Sequence, residues 1–578
     1  MITATDLETL LAAHGGDAFS PDALAELDAR EEFPGDAVRV LDDAQLPSRY
    51  VLSPDGDVSE TVRLLRAVAR RDLTVAIAHG KTFLGTAPVW VAGTPDQAAR
   101  LAERVRRGEA VCWGLTERDH GADLLAGELA AVPDGETGIR GIGDWRLPGE
   151  EIGTRVIGGW RLTGEKWLIN NATRATLACV LARTDPAGGG RGFSLFVVDK
   201  RRLPEGAWRN LPKVRTHGIR GADISGFALD GAPVPADALV GEEGEGIDVV
   251  LKTLQLTRIA CTALSLGAAD HALRLARDFA TGRELYGRRL ADVPHVRRIL
   301  GRAAAAALTA EAVSALSARS VHTLPGELSA ISAITKAYVP TVTQRMLGSL
   351  GELLGLRGFL TSPPGDGFAK LERDHRICAI FDGSTVVNRA ALLNQMPRLA
   401  RQLSRRRADT EGLRAAADLT APLPPFDRDR LTLRSVTGCS AVQALPDLAE
   451  HIREEGPSEV GVLVDRLLAE LTRLETESAD FLPVAGGLPS TAFHLAGNYE
   501  HAYAAAAVLL LWRENPALRT GRLGQDGLWL RACLVTLLGE DDSGRATDGD
   551  CDNDVLDALA DAALSTPEKE FTLWGGTA

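Results

Sequence analysis

The chain has 578 residues, 45% of them apolar and 25% charged, and carries a formal net charge of −14. That length exceeds one ordinary core and predicts two to four domains, while the apolar fraction excludes wholesale disorder. The acid is concentrated: residues 428–578 hold 25 Asp+Glu against 12 Lys+Arg, leaving 53 against 52 for residues 1–427, which counts against nucleic acid as a partner.

At the N-terminus, MITATDLETLLAAHGGD has no cationic stretch ahead of an apolar run, so no secretory signal is read and a cytoplasmic location is expected. From about residue 6 to 111, segments such as SETVRLLRAVARRDLTVAIAHG and PDQAARLAERVRRGEA repeat apolar residues at helical spacing. Residues 1–111 therefore read as a helical domain. Over 112–235 the pattern turns to short β-like runs, TLACVLART and GFSLFVVD, parted by glycine-rich turns, which predicts a compact antiparallel β domain. Long helical periodicities return over 236–405, as in VRRILGRAAAAALTAEAVSALSARS, and predict a bundle. A linker at 406–427 contains the proline-rich TAPLPPFDRD, and an extra acidic helical domain is expected over 428–578. Within it EDDSGRATDGDCDNDV reads as a mobile loop. The most apolar run, YAAAAVLLLW at 503–512, is short for a membrane span, and no membrane partner is expected.

Familiar catalytic signals are missing: there is no G-x-x-x-x-G-K-[ST] loop, no G-x-S-x-G elbow and no H-E-x-x-H. GEEGEG at 241–246 reads as a turn into a helix beginning near Ile247. Seven cysteines (Cys112, Cys179, Cys261, Cys378, Cys439, Cys533, Cys551) are scattered and never paired as C-x-x-C, so neither a disulfide framework nor a metal site is predicted. One stretch, IFDGST at 380–385, poses a sharper question. Asp followed by Gly is a common turn pair. Asp382 is also a carboxylate of the kind that strips an acidified α-proton when apolar surroundings lift its proton affinity.

The order of motifs along the chain bears on that question. CWGLTERDHGADL (112–124), GGWRLTGEKWLINNA (158–172), LQLTRIACTALSLGAADHAL, GRELYGRRL (282–290), ELLGLRGF (352–359) and RDHRICAIFDGSTVVNR (373–389) follow one another. Over roughly residues 60–400 this arrangement resembles the acyl-CoA dehydrogenase superfamily of FAD enzymes. The resemblance implies a mainly α fold with a central antiparallel β domain: a helical domain, a β-barrel or sandwich domain and a four-helix bundle. It places FAD between the β domain and the bundle of one subunit, reached by a neighbour. The additional helical C-terminal domain is similar in size to that of the long acyl-CoA dehydrogenases, which favours a homodimer over a tetramer.

Residue by residue, the resemblance sets Trp113, Leu115 and Thr116 beside the flavin, with Gly121 of the following Gly-Ala-Asp. Trp167 lies on the flavin's far side and Ile169 contributes a backbone N–H. Arg283 and Tyr286 reach the neighbour's FAD, where a guanidinium can bracket phosphate oxygens. Glu352, Gly355 and Ser384 are further cofactor residues, Arg258 serves the substrate, and Asp382 with Gly383 forms the base motif. Departures from the family pattern are Asp382 for Glu, Ala122 for Ser, Ile169 for Thr, Pro294 for Gln, and Gly355-Leu356 for Gly-Gly. Thr257 occupies the position where some relatives carry the base instead.

The implied activity is FAD-dependent α,β-dehydrogenation of an acyl thioester of CoA or of an acyl carrier protein, with electrons leaving to an electron-transfer flavoprotein. The non-standard base points to specialised metabolism. Three alternatives stay open: a nitroalkane-oxidase-like enzyme, a flavin monooxygenase, and a catalytically silent flavoprotein scaffold.

Overall fold

A computed structural model of the chain describes residues 2–52, 56–134, 158–361, 367–483, 487–539, 550–566 and 571–574. The chain divides into two compact units, residues 1–61 with 74–257, and residues 62–73 with 258–578.

The first unit opens with α1 (Ala4–Ala13), α2 (Pro21–Arg30), α3 (Gly35–Asp43), the first residues of α4 (Val58–Arg71), α5 (Leu73–Ala92) and α6 (Pro95–Arg106). Local chemistry sets the start of α6. The Thr94 hydroxyl accepts from the Gln97 N–H while the Gln97 side chain accepts from the Thr94 N–H, and Pro95 occupies the first turn. The Gln97 amide also donates to the carbonyls of Asp237 and Leu239 at 2.9 and 2.7 Å, tying the helix to the edge of the sheet.

That sheet comprises β1 (Val111–Gly114), β2 (Ala130–Pro133), β3 (Gly159–Asn170), β4 (Leu177–Arg183), β5 (Phe193–Asp199), β6 (Trp208–Leu211), β7 (Ile224–Pro235) and β8 (Leu239–Val240). Its order is β6-β7-β3-β2-β4-β5-β8, with β1 paired to β4. Trp160, Leu162, Phe196 and Phe227 fill its core. The expected antiparallel pairing holds for most of the sheet, with β1 and β2 against β4 as the exceptions. β1 runs parallel to β4, pairing Val111 with Leu177 through Gly114 with Val180, and β2 meets β4 in parallel at Ala130 and Arg183. Apolar alternation reports which face is buried and not which way a neighbour runs, so direction was illegible.

The second unit holds the remainder of α4, the last turn of α7 (Gly246–Ala260), α8 (Thr262–Gly282), the hairpin β9 (Glu284–Leu285) and β10 (Arg288–Arg289), α9 (Pro294–Thr323) and α10 (Leu328–Leu354). It continues with α11 (Leu356–Phe359), α12 (Phe368–His375), α13 (Thr385–Arg405) and α14 (Thr410–Ala417). Helices α8, α9, α10 and α13 form the bundle, with α10 against the other three.

Beyond it stand α15 (Ser440–Gln443), α16 (Leu445–Glu455), α17 (Gly461–Asp480), α18 (Ala492–Glu514), α19 (Gly521–Gly524), α20 (Leu528–Leu538) and α21 (Asp550–Ser565). Helix α18 packs on α9, α10 and α13, while α20 and α21 pack on α9. The segment 406–427 is held by Arg319, whose guanidinium donates to the carbonyls of Ala415, Ala416, Asp418 and Ala421. Two helical stretches, Gly246–Gly282 and Pro294–Thr323, are long and apolar enough to cross a membrane, yet 89% and 83% of their most apolar windows are buried in protein.

Of the expected acidic loop, residues 540–549 lie outside the described residues, and from Asp550 onward the chain is α21 and not a loop. Its apolar residues were diluted by acid in the sequence. Val555, Leu556, Leu559 and Ala560 nevertheless share one helical face, and all four are buried.

One polar network closes the second unit. Arg66 Nε donates to Asp270 Oδ2 at 2.7 Å and Nη1 pairs with Glu311 Oε1 at 2.8 Å; Arg70 reaches Asp270 at 2.8 Å. Glu311 also accepts the backbone N–H groups of Leu573 and Trp574, pinning the end of the chain. All of Arg66, Asp270 and Glu311 are buried. Replacing Arg66 by Met leaves two buried carboxylates short of their cation, and we expect a loss on the order of 3 kcal/mol, read as a lowered denaturation midpoint of the second unit.

Candidate functional site

In the first unit, β1 delivers Trp113 into a turn carrying Leu115, Thr116 and Glu117, and this turn is bonded to β3. The Trp167 N–H donates to the Thr116 carbonyl at 3.0 Å, and the Thr116 hydroxyl donates to the Trp167 carbonyl at 2.7 Å. Buried Lys166 donates to the Leu115 carbonyl at 3.0 Å and to Glu117 Oε1 at 2.7 Å. Glu117 additionally accepts the N–H groups of Glu128 and Leu129 at 2.6 and 3.1 Å. Burial opposes the charge on Glu117, but the Lys166 ammonium and the two backbone donors outweigh it and hold the carboxyl below its ordinary range.

Because the Thr116 proton is committed to Trp167, its hydroxyl has lone pairs left to offer a ligand. Among the described residues, the buried Trp113 indole N–H has no hydrogen-bond partner. Between Trp167 and Ile169 the register of β3 against β7 shifts, and Leu168 takes φ 58° with its side chain exposed. Ile169 is buried opposite Ser225. The Arg118 guanidinium lies 5.0 Å from the Trp167 ring centre. Gly121 is exposed, with no atom within 4 Å of where a Cβ would stand.

In the second unit, Asp382 adopts φ 55° and Gly383 φ 91°, so IFDGST is a left-handed turn in which Ser384 caps α13 by accepting the Val387 N–H. Donors reach its carbonyls from several helices. Arg258 Nε donates to the Asp382 carbonyl at 3.1 Å; Lys336 Nζ and Asn388 Nδ2 donate to the Gly383 carbonyl at 3.2 and 2.8 Å. Gly383 is favoured by its positive φ, and a Cβ there would press on Arg258 Nη2 and Asn388 Nδ2 at 3.1 Å. The Asp382 carboxylate accepts from Cys261 Sγ at 3.1 Å. Burial pushes the Arg258 guanidinium down to about 10, with the Asp382 charge opposing, so it stays cationic at neutral pH. His375, held between Ser265 and Gln344, is pushed down to about 3 by burial and by Lys336, and is neutral.

The structure thus brings Arg258, Asp382, Gly383 and Ser384 together, and separately Trp113, Leu115, Thr116, Trp167 and Ile169. Arg283, Tyr286, Glu352 and Gly355 are exposed. Tyr286 heads the β9–β10 hairpin with φ 53°, followed by Gly287 at 78°. Leu356 and Phe359 beside Gly355 are exposed too. Sequence reasoning missed Lys166, Glu117, Lys336 and Asn388; Lys336 stands within the largely apolar helical run AISAITKAYV, a signal that could have flagged it as buried, whereas Lys166 follows Glu165 in a strand of mixed polarity and gives none. Among the described residues no group of three or more His, Cys, Asp or Glu converges as for a metal ion. The second unit also encloses a cavity of about 350 Å³ bounded by Val342, Arg389, Leu471 and Glu500, but none of Arg258, Cys261, Asp382 or Gly383 lines it.

Comparison with known proteins decides the family. The acyl-CoA dehydrogenase middle-domain model matches residues 112–232, and the C-terminal-domain model of the same family matches residues 244–396. Residues 112–232 and 244–396 are thus the middle and C-terminal domains of an acyl-CoA dehydrogenase. It is 26% identical over 378 residues to a probable acyl-CoA dehydrogenase of Mycobacterium leprae, a match covering 64% of this chain and 89% of that protein. It is 25% identical over 323 residues to the human mitochondrial short-chain specific acyl-CoA dehydrogenase, covering 55% and 70%.

Among solved structures, the Bacillus anthracis acyl-CoA dehydrogenase complexed with FAD shares the fold at a TM-score of 0.65 and 18% identity. That likeness covers 97% of this chain and 86% of the other, and so takes in the C-terminal helices of this acyl-CoA dehydrogenase homologue. The butyryl-CoA dehydrogenase of Megasphaera elsdenii matches at a TM-score of 0.58 and 22% identity over 67% and 96% of the two chains.

The Glu117–Lys166 pair carries a pH signature. A carboxyl held below its unfolded value stabilises the fold fully above about pH 4.3 and loses that contribution as pH falls through the lower folded value. Glu117→Gln should flatten the dependence of thermal stability on pH below about 4.5, measured by melting across pH 3 to 6.

Proposed function

We propose that the protein dehydrogenates an acyl thioester at its α and β carbons, with Asp382 taking the α-proton. The observation that carries this reading is the seat of Asp382. Its backbone carbonyl is held by buried Arg258 and the next carbonyl by buried Lys336 and Asn388. A carboxylate is thereby presented on a strained turn, an arrangement that persists where the surroundings over-determine it. A nearby guanidinium and ammonium also favour a negative charge that develops when a thioester is deprotonated.

The residues of the first unit fit FAD. An unpartnered buried indole N–H at Trp113 and lone pairs on Thr116 suit a heteroaromatic edge that both accepts and donates hydrogen bonds. FAD, when bound, supplies the two-electron acceptor for the hydride from the β-carbon. The chain's own contribution is to orient that edge through Trp113, Leu115, Thr116 and the bulged Trp167–Ile169 segment, and to hold the α-proton on Asp382.

The exposed Tyr286 hairpin supports a role for Arg283 and Tyr286 toward a second copy, and hence a homodimer. An electron-transfer flavoprotein is the external acceptor in this reading, and the substrate carrier is CoA or an acyl carrier protein. A solved neighbour described as a prolyl acyl carrier protein oxidase, at a TM-score of 0.58 and 17% identity, keeps the carrier-bound substrate in view. The short Asp in place of Glu favours a specialised substrate, and also supports a second reading, proton abstraction next to a nitro group with oxygen as acceptor.

Anaerobic titration of the holoenzyme with a panel of acyl-CoAs is expected to bleach the flavin band. Asp382→Asn should retain FAD and slow bleaching by about 10²–10⁴ fold. Rapid bleaching by Asp382→Asn would refute the base assignment, and peroxide release with a small nitroalkane in place of bleaching by thioesters would favour the second reading.

A further inference from the structure

Resting on the reading of Asp382 as the base, we infer that Cys261 is the residue that positions its carboxylate: the buried thiol at the junction of α7 and α8 donates to Asp382 Oδ2. The separation is 3.1 Å, and Cys261 is 7% exposed. Two anions would repel at that distance, so the proton lies on sulfur and the carboxylate accepts.

The placement follows from helical spacing. Arg258 in the last turn of α7 and Cys261, three residues on at the junction with α8, face the same turn, one bonding the Asp382 carbonyl and the other its side chain. Backbone and carboxylate are therefore held from one short stretch of chain. Aspartate is a methylene shorter than glutamate, and a carboxylate drawn back by that length reaches a donor on the helix behind it.

The choice of sulfur has a chemical consequence. A thiol is a weak hydrogen-bond donor, so it fixes the rotamer while stabilising the anion less than a hydroxyl or N–H would. Among the described residues, charged or titratable groups facing this turn include Arg258 from α7, Lys336 from α10 and, against Lys336, neutral His375 from α12. Their charges are constant over the range in which a carboxylate titrates, apart from any protonation of His375 near its low value.

The test uses the full-length FAD-loaded protein and its Cys261→Ser and Cys261→Ala variants, with FAD stoichiometry and melting temperature confirming that each folds. The pH profile of kcat/KM for an acyl-CoA should move in opposite directions. Ser, the stronger donor, shifts the acid limb to lower pH and reduces the rate at neutral pH. Ala, lacking a donor, shifts it to higher pH and lowers kcat about tenfold with KM within about twofold, because orientation and not binding is lost.

A cysteine that merely packs would give wild-type profiles in both variants, and that result overturns the inference. Washout of deuterium from the thioester α-carbon, measured in parallel in wild type and Asp382→Asn, separates the two levels. Washout that persists in Asp382→Asn removes the base reading and this inference with it. Washout lost in Asp382→Asn, with unshifted profiles at Cys261, removes the inference alone.

Discussion

A non-glycine residue with positive φ is costly, and Asp382 holds that conformation because donors from separate helices take the carbonyls of its turn. Arg258 binds one, and Lys336 and Asn388 the next. Each of these side chains is buried, so losing its partner would strand a polar group in the core at a cost of about 1–3 kcal/mol, more for a charge. The turn and the bundle are thus mutually dependent: the helices need its carbonyls as acceptors, and it needs their donors to stay left-handed. IFDGST is a turn, and in the proposed reading of Asp382 as a base that turn geometry is what presents the carboxylate.

Lys166 does for the first unit what Arg258 does for the second. Its ammonium joins the Leu115 carbonyl to Glu117, and Glu117 collects two further N–H groups, so a loop with little regular structure is fastened to β3. Because Thr116 spends its proton on Trp167, the loop meets a ligand as an acceptor at that point. Burying charge in this way is expensive unless every valence is met, which is why these networks are extended and not simple pairs.

The C-terminal helices also follow from packing. Helix α9 is buried around its whole circumference from Ala303 to Thr323, and α18, α20 and α21 help to cover it. The acidic excess of this region stays compatible with folding because its apolar residues remain in helical register, as Leu556 and Leu559 show.

Helical period and motif order made the helix, β, helix sequence of elements, the bundle, the extra helical region and the family resemblance legible in the chain alone, because periodicity and residue type are local properties. Strand direction was not legible: the parallel pairing of β1 with β4 depends on which segments meet after some sixty intervening residues. Nor were the partners of the buried lysines, the Cys261–Asp382 hydrogen bond or the hairpin that exposes Tyr286. Those are set by which side chains converge once helices distant in sequence are packed, and only the tertiary structure decides that.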